Sequence, residues 1–509
     1  MARFGRSFAL LLLLGISATS LAKRRTSSVS FVPRRQSQGI DTIHHPKSTA
    51  DIDQVPTPSS LKSLARGGAL KIPTPSGDEI KGSIAFLLLD HFFRVGFKAK
   101  GINFPSQLGG CCILFASMIL ANIVKRGFGD AVFSFLTPGA LWLTKWIAVF
   151  FVPGLAMLPL APSMGNSLEI FKVLAVVVAG FYYSAATTAY AVLAIRKMQG
   201  TAVTTAIPRG SSIDSGGPRR MPYSNLLHNT LAKGLVLSAA LSIGATRLGN
   251  DFATPLNTVF MLFTAFYGYV WGARLPPAFV KIVHPLVMST VVTWVATYAA
   301  SVATGSSFDA TLATYKVGSM DLMKAGAGDI LLYLLGPSVV SFAISIYSRK
   351  QVIADNIITV CTAMIVGSFG GLFGTAAFAR LLNIGDGGAA GSVLRKSLLP
   401  RNITTPLAIA ITNIIGGDIA QACAIVVLTG IYGATFGQSF LNALNISDPV
   451  SRGLGMGASA QGLGVATMIK EPEAFPFAAS SMVLTAIAAT VLVSVPSISD
   501  ALLKVALGN

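Results

Sequence analysis

The sequence predicts an all-α protein that crosses a membrane about 12 times. Its mean hydropathy is +0.65 and only 12% of its residues are charged, which is typical of integral membrane proteins. About a dozen apolar segments approach the roughly 20 residues that a helix needs to cross a bilayer. Much of the excess of 19 positive charges lies in the N-terminal leader and in loops, so the charge does not indicate a nucleic-acid partner.

The N-terminal leader predicts targeting. Residues 1–22 have the form of a secretory signal, because Arg3 and Arg6 precede an apolar run that ends in small residues. Residues 23–77 form a disordered, transit-peptide-like segment that is basic and serine-rich, with no acid before Asp41. A signal followed by such a segment resembles the bipartite leaders of algae with complex plastids. The alternative is a secreted protein with a disordered basic tail.

The membrane part divides into two halves joined by a polar loop. Residues 78–195 carry about four candidate spans, and residues 230–509 carry roughly six to eight. The loop between them, residues 196–229, holds five basic residues against one acid, Asp214. This organisation predicts two membrane domains in one chain.

Loop charges predict the orientation of the chain. With four spans in the first half, loop 2/3 holds Lys125 and Arg126, and loops 4/5, 6/7 and 8/9 are also basic. Loops 5/6 and 7/8 are nearly neutral, and loop 1/2, with Lys98 and Lys100, is an exception. By the positive-inside rule the even-numbered loops face the side of insertion, which is the stroma in a plastid.

The second half contains a pattern that occurs twice. Each unit has a span, a Leu-Pro pair, a proline that opens a second span, and a Gly-Asp-Ile that opens a third. These landmarks are 256–273, Leu275-Pro276, His284-Pro285-Leu286 and Gly328-Asp329-Ile330 in one unit, and 356–382, Leu399-Pro400, Thr405-Pro406-Leu407 and Gly417-Asp418-Ile419 in the other. Because three spans reverse the direction of the chain, the two units are predicted to form an inverted repeat, as in many secondary carriers.

Asp329 and Asp418 each directly precede the apolar run of their unit. An acidic residue at this position caps a helix N-terminus, and an acid within the membrane part is also a candidate for coupling transport to protons. The pattern favours the capping role, and proton coupling is the alternative.

A glycine-rich segment interrupts the apolar pattern near the C-terminus. Residues 448–466 contain five glycines between two long uncharged runs, 419–447 and 474–499. Each interior glycine costs a helix about 1 kcal/mol relative to alanine, and non-helical backbone at membrane depth persists only where protein or a cavity surrounds it. The segment therefore predicts a broken helix that binds a transported ligand. The alternative is a glycine face for tight helix packing.

The sequence lacks the motifs of common enzymes and metal sites. It contains no His-Glu-x-x-His, no Cys-x-x-Cys and no phosphate-binding loop. Gly457-Ala-Ser459-Ala-Gln461 differs at its last residue from the Gly-x-Ser-x-Gly of serine hydrolases. The sequence therefore predicts no enzyme activity, no cofactor and no metal, and its four cysteines, all in apolar segments, are interpreted as packing residues.

Two groups of motifs resemble a known pair of membrane families. Gly101-Ile-Asn-Phe-Pro-Ser-Gln-Leu-Gly-Gly and Phe150-Phe-Val-Pro-Gly-Leu resemble the LrgA/CidA holin-like family. Gly328-Asp-Ile, Leu399-Pro-Arg-Asn-Ile-Thr-Thr-Pro-Leu-Ala-Ile and Arg452-Gly with the later Ser-Ala-Gln-Gly-Leu-Gly resemble its LrgB/CidB partner. Residues 78–195 are thus identified as an LrgA-like membrane domain and residues 230–509 as an LrgB-like transport domain.

The fusion of the two domains behind a plastid leader resembles the family of plastidal glycolate/glycerate translocators. The resemblance implies a carrier of the chloroplast inner envelope that exports glycolate and imports glycerate in photorespiration. Its partners would be these small carboxylates and the lipid bilayer, with protons as a candidate coupling ion and a homo-oligomer as a candidate assembly. The alternative function is a holin-like pore or a membrane regulator of envelope or cell-wall integrity, as proposed for bacterial relatives.

The predicted substrate site lies on two segments, one around residue 401 and one around residue 461. A carrier of these acids needs a cation or a helix N-terminus for the carboxylate and hydrogen-bonding groups for the 2-hydroxyl. The predicted binding residues are Arg401, Asn402, Thr404, Thr405, Ser459, Gln461, Gly462 and Gly464. Arg401 is expected to hold the carboxylate in a two-pronged bond. The alternatives are an interfacial charge for Arg401 and N-caps for the threonines.

Position 461 departs from the family pattern, Ser-Ala-His-Gly-Leu-Gly-Thr. Gln461 and Val465 stand where histidine and threonine are usual. Glutamine keeps a donor and an acceptor but does not titrate. The substitution therefore bears on substrate choice and on any proton coupling through this position.

Other charged residues of the membrane part receive structural interpretations. Arg452 is expected to pair with Asp448 or to face the membrane interface. The charges at 470–473 predict a solvated loop. Asp90 and Arg94, spaced i, i+4, predict an ion pair within one helix.

Overall fold

The computed structural model describes residues 75–102, 104–203, 222–280, 283–321, 323–385 and 388–508. The predicted signal segment and all but the last residues of the predicted transit-like segment lie outside these ranges. Much of the polar loop between the two halves lies outside them as well. Within the described ranges all regular structure is helical.

The first half consists of four long helices and one short one. They are α1 (Gly77–Ala99), α2 (Ser106–Val124), α3 (Phe128–Phe150), α4 (Val152–Ala156) and α5 (Ser167–Met198).

The second half alternates long helices with short ones. They are α6 (Asn225–Arg247), α7 (Ala253–Arg274), α8 (Pro277–Val280), α9 (Pro285–Thr304), α10 (Phe308–Ala313), α11 (Ala327–Tyr333), α12 (Leu335–Tyr347), α13 (Lys350–Asp355), α14 (Ile357–Ile365), α15 (Gly371–Leu381), α16 (Ala389–Leu398), α17 (Thr405–Ile415), α18 (Ile419–Ala443), α19 (Pro449–Thr467), α20 (Phe475–Ser494) and α21 (Pro496–Leu507).

Nine helical segments in the described ranges are long and apolar enough to cross a membrane. Three further helices, α1, α7 and α19, have 23, 22 and 19 residues and are more polar. Together these elements agree with the dozen or so spans expected from hydropathy. The prediction of an all-α, polytopic membrane protein is confirmed.

Polar side chains fix where several helices begin. At the start of α1, Ser76 accepts a hydrogen bond from the backbone N–H of Glu79, whose carboxylate accepts one from the N–H of Ser76. Asn166 caps α5, and Asp448 caps α19 by accepting from the N–H of Ser451. Because the first N–H groups of a helix have no partner within it, these caps stabilise the chosen start.

The described helices pack in three groups. Helices α1, α2 and α3 pack on one another and against α12. Helix α7 packs against α6 and α9. Helix α19 packs against α18, α20 and α5, and α5 also contacts α18, α14 and α15. The last helix of the first half is therefore built into the core of the second.

Three elements of the second half depart from regular helix geometry. A π-turn, Val366–Gly370, separates α14 from α15, and such turns are frequent at functional sites. Helices α16 and α17, of 10 and 11 residues, are separated by a non-helical linker, residues 399–404. Helix α19 is broken at Gln461. The prediction of broken helices in this half is confirmed.

The landmarks of the predicted repeat open equivalent elements. Pro285 begins α9 and Pro406 lies in the first turn of α17, while Asp329 and Asp418 stand at the starts of α11 and α18. The middle elements differ, because α9 has 20 residues whereas the 11 residues of α17 extend only about 17 Å, short of a hydrocarbon core of about 30 Å. The inverted relation of the two units stays a prediction.

Candidate substrate site

The glycine-rich segment forms helix α19, and its first three glycines pack the helix against its neighbours. A side chain at Gly453 or Gly457 would collide with a backbone carbonyl at the start of α20, and one at Gly455 would meet α5. Small residues allow helix backbones to approach closely within a membrane. The packing interpretation is therefore correct for these three positions.

The break in α19 falls at Gln461. Its φ of 45° and ψ of −151° are far from helical values, and such a conformation costs a residue with a side chain about 1–3 kcal/mol. The side-chain Nε2 donates a hydrogen bond of 2.6 Å to the carbonyl of Val426 in α18. Gly462 and Gly464 follow the break, and their role in binding stays a prediction.

Ser459 lies two residues before the break and is fully buried. Its hydroxyl donates to the carbonyl of Gly455, at 2.7 Å, one turn earlier in α19. Because this bond uses the only O–H of the serine, its oxygen retains lone pairs that accept hydrogen bonds.

Arg401 is the buried cation of the predicted site. It lies in the linker between α16 and α17 with 0% of its surface exposed. Its Nε donates to the Thr375 hydroxyl in α15, and its Nη2 donates to the Ser184 hydroxyl in α5, both at 2.9 Å. Within the described residues no carboxylate forms an ion pair with it, and Nη1 has no partner. The interfacial interpretation of Arg401 is wrong.

Neutral groups of α5 and α15 hold the guanidinium in place. Thr375 donates its own O–H to the carbonyl of Gly371 at 2.6 Å, so that its lone pairs are left for Arg401. A side chain at Gly180 in α5 would collide with the guanidinium. These partners were not predicted from the sequence. The signal for them is the row of small residues Gly180, Ser184 and Thr188, which share one face of α5 at intervals of four.

Asn402 brings the two predicted segments together. It is 2% exposed, and its Nδ2 donates to the carbonyl of Gly367 in the π-turn and to that of Ala458 in α19, at 3.2 and 2.9 Å. Ala458 directly precedes Ser459, so the linker 399–404 lies against the middle of α19. The prediction that these segments share one site agrees with this contact.

Thr404 and Thr405 are both buried at the start of α17. Thr404 occupies the N-cap position, but its side chain makes no capping hydrogen bond. The N-cap interpretation is therefore wrong for Thr404. Thr404 ends the linker and Thr405 begins α17, so the two hydroxyls lie within four residues of Arg401 in the chain.

Several buried polar atoms of this region have no partner among the described residues. They are Arg401 Nη1, Asn402 Oδ1, and the hydroxyls of Thr188 in α5 and Thr485 in α20. Buried polar groups in native proteins are nearly always hydrogen-bonded, and these four atoms can each bond to a group that enters the site. Arg401 Nη1 can donate to an anionic group of a ligand, and neutral acceptors such as Asn402 Oδ1 can accept from a hydroxyl of the same ligand. Nowhere in the described ranges do three His, Cys, Asp or Glu side chains form a metal site.

The two candidate coupling acids both bond to backbone N–H groups at helix starts. Asp418 is the N-cap of α18 and accepts from the N–H of Gln421 at 2.8 Å, so the N-cap interpretation is correct for Asp418. Asp329 lies in the first turn of α11, where its carboxylate accepts from the N–H of the N-cap residue Gly326 and from two N–H groups of the preceding connection, at 2.9–3.0 Å, so the N-cap interpretation is wrong for Asp329. Their role in proton coupling stays a prediction.

A second buried arginine corrects two expectations. Arg452 pairs with Glu471 through two bonds of 2.7 Å, so the expected pair with Asp448 is wrong. Asp448 pairs instead with Arg196 at 3.0 Å. Of the charges predicted to form a solvated loop, Lys470 and Glu473 are exposed as expected, but Glu471 is 8% exposed and the prediction is wrong for it.

Comparisons with known proteins give the following relatives. The model of the LrgB-like family matches residues 263–498. Plastidal glycolate/glycerate translocator 1, chloroplastic, of Arabidopsis thaliana is 32% identical over 425 residues, which cover 82% of this chain and 79% of that protein. The uncharacterized protein YwbG of Bacillus subtilis (strain 168) is 33% identical over 137 residues, which cover 27% of this chain and 58% of that protein. No solved structure matches the chain.

Proposed function

This chain belongs to the family of the plastidal glycolate/glycerate translocators and contains an LrgB-like region at residues 263–498, and from that premise we propose that it exchanges glycolate for glycerate across a plastid membrane. The membrane is the inner envelope, glycolate leaves the stroma, and glycerate enters it. The chain acts as a carrier and performs no catalytic step. The basic leader directs it to a complex plastid.

The observation that carries this proposal is the environment of Arg401. Removing a cation from water without a counter-charge is costly, and the structure places only hydroxyls against this one. A substrate carboxylate supplies both the missing negative charge and an acceptor for Nη1. Charge-assisted bonds of this kind are about twice as strong as neutral ones.

The neighbouring amide accounts for the second group that the two substrates share. Asn402 uses its Nδ2 on two backbone carbonyls, and its Oδ1 is left as an acceptor. We assign Oδ1 to the 2-hydroxyl of glycolate or glycerate, which donates to it. Thr404, Thr405, Ser459 and the segment from Gln461 to Gly464 complete the site.

A carrier of this design must hold its substrate within the protein while access changes from one side to the other. Arg401 is positioned by helices from both halves, since Ser184 lies in α5 and Thr375 in α15. Proton coupling through Asp329 or Asp418, and assembly into a homo-oligomer, are further parts of the proposal.

Counterflow in proteoliposomes tests the function directly. Liposomes loaded with unlabelled glycerate should take up labelled glycolate with saturation, and uptake should fall when the internal acid is absent. A holin-like pore, the competing function, would give uptake that neither saturates nor responds to the internal acid. That result would replace the carrier by a pore.

A further inference from the structure

Two adjoining cavities lie in a cleft between the two halves of the molecule. Each has a volume of about 260–270 Å³. Four residues line both of them: Lys316, Leu332, Asn413 and Ile419. The first half contributes the end of α1, the start of α2 and the region of α4, and the second half contributes α11, α12, α17 and the start of α18.

The cavity nearer α1 is lined by two cations, two amides and no acid. The cations are Arg94 and Lys316, and the amides are Gln107 and Asn413. A cation that has no ion-pair partner raises the local concentration of ligands of the opposite sign. A volume of about 270 Å³ is ample for an acid of two or three carbon atoms, because the pockets that bind drug-sized ligands measure only about 300–1,000 Å³.

Lys316 is the cation that is free to bind. Arg94 forms the predicted pair with Asp90 at 2.7 Å, and its guanidinium lies 4.8 Å from the ring centre of Tyr333. No ion pair involves Lys316 in the part of the chain that the structure describes. Asp418 lines the other cavity, where its carboxylate caps α18.

The cleft runs along α17, away from the linker that carries Arg401. Pro406, in the first turn of α17, and Asn413, near its end, both line the cavity with the two cations. Their separation of seven residues corresponds to about 10 Å along a helix. The cavity therefore extends from the start of α17, five residues beyond Arg401, to Lys316.

We infer that this cleft is a second carboxylate-binding site, which captures a small 2-hydroxycarboxylate through Lys316 before the acid reaches Arg401. The inference rests on the proposed function for the identity of the acid. Arg94, Gln107 and Asn413 supply further donors around the captured acid. The cleft borders the predicted loops 1/2 and 7/8, which are odd-numbered. Because the even-numbered loops are predicted to face the stroma, the cleft is predicted to open on the opposite face. The LrgA-like half thus forms one wall of the entrance.

Substitution of Lys316 tests the inference by transport kinetics. Lys316→Gln should raise the KM for glycerate, the acid that enters from this face, roughly three- to tenfold, the value of one charge-assisted contact at a partly exposed site. The maximal rate should stay unchanged, because Arg401 is intact. Lys316→Arg should keep the wild-type KM. The matched control is Lys324→Gln, since Lys324 is in the same connection between α10 and α11 but lines neither cavity of the cleft. Equal KM values for Lys316→Gln and Lys324→Gln would overturn the inference.

Equilibrium binding separates this inference from the proposed function. Purified Arg401→Gln protein should still bind labelled glycolate weakly, and the variant that combines Arg401→Gln with Lys316→Gln should bind none. Loss of all glycolate binding in folded Arg401→Gln protein would contradict a second site. If wild-type protein shows no counterflow, the proposed function fails. The inference is then tested separately, by whether substitution of Lys316 removes glycolate binding.

Discussion

Two arginines of the second half, Arg401 and Arg452, are buried almost equally, at 0% and 2% exposure, but their partners differ. Arg452 donates through Nε and Nη2 to Glu471 at 2.7 Å and through Nη1 to the carbonyl of Ile446 at 2.8 Å. Arg401 donates to two hydroxyls, and its Nη1 has no partner in the described part of the chain. One cation is neutralised by the protein, and the other is left for a ligand.

A membrane protein thus holds a structural charge in a buried ion pair and leaves a functional charge for its ligand. Breaking a buried ion pair costs about 3–5 kcal/mol, because it leaves the other charge unpaired. Arg452 and Glu471 therefore join the start of α19 to the turn that follows it. The uncompensated charge of Arg401 makes the empty site less stable and favours the arrival of an anion.

The ion pair of Arg452 predicts the largest effect on stability. Arg452→Gln and Glu471→Gln should each lower the free energy of unfolding by about 3–5 kcal/mol, and the double variant should be destabilised by less than the sum. The apparent melting temperature in detergent measures the loss. Additive effects in the double variant would mean that the two side chains do not act as a pair.

The close approach of Gly180 to Arg401 predicts a large effect on transport alone. Gly180→Ala should reduce glycolate counterflow roughly tenfold or more, because the new methyl group displaces the guanidinium and weakens a charge-assisted bond. Gly244→Ala in α6 is the matched control, since a side chain there meets nothing within 4 Å. Equal transport by both alanine variants would show that transport does not depend on the position of the Arg401 guanidinium.

The break at Gln461 predicts an intermediate effect that depends on the substitution. Gln461→Ala should weaken uptake roughly tenfold, and Gln461→Gly should be milder because glycine adopts the required backbone conformation freely. Gln461→His should add a pH dependence between about 5.5 and 7.5, since histidine titrates near 6.5. Uptake assays across this pH range provide the measurement. Wild-type transport in all three variants would remove Gln461 from the site.

The hydroxyl of Ser184 predicts the smallest effect and tests the contribution of the first half. Ser184→Ala removes one acceptor of Arg401 and should reduce transport by about two- to fivefold, the value of a single neutral hydrogen bond. Ser238→Ala is the control, because Ser238 is a buried serine of α6 that bonds only within its own helix. Counterflow rates normalised to inserted protein compare the two, and equal rates would show that α5 only packs against the site.

Local sequence signals account for much of what was predicted correctly. Apolar length gave the polytopic helical fold, because the bilayer fixes how long a span must be. The glycine content of α19 indicated a break, but the break occurs at Gln461, since three of the glycines are used for packing. The motif around Arg401 indicated a site, and the contact of Asn402 with α19 places its two segments together.

Contacts between distant segments account for what the sequence did not reveal. Ser184 and Thr375 meet Arg401 only because α5 packs into the second half, and the row of small residues on α5 indicates a packing face without naming the helix that it meets. Arg452 was expected to pair with Asp448, four residues away in the chain, or to face the membrane interface. Its partner is Glu471, beyond the end of α19. Charge pairing inside a membrane protein is set by the tertiary fold more than by spacing.

The most direct test of the account compares Arg401→Gln with Arg452→Gln in both transport and stability. Counterflow of labelled glycolate, normalised to inserted protein, is measured together with the apparent melting temperature, with Arg401→Lys as the variant that keeps the charge but loses the planar fork. We expect Arg401→Gln to lose transport with an unchanged or higher melting temperature, Arg401→Lys to be partly active at best, and Arg452→Gln to lose stability. Transport by Arg401→Gln within about twofold of wild type, or a loss of stability as large as that of Arg452→Gln, would show that Arg401 is not the cation that binds the substrate.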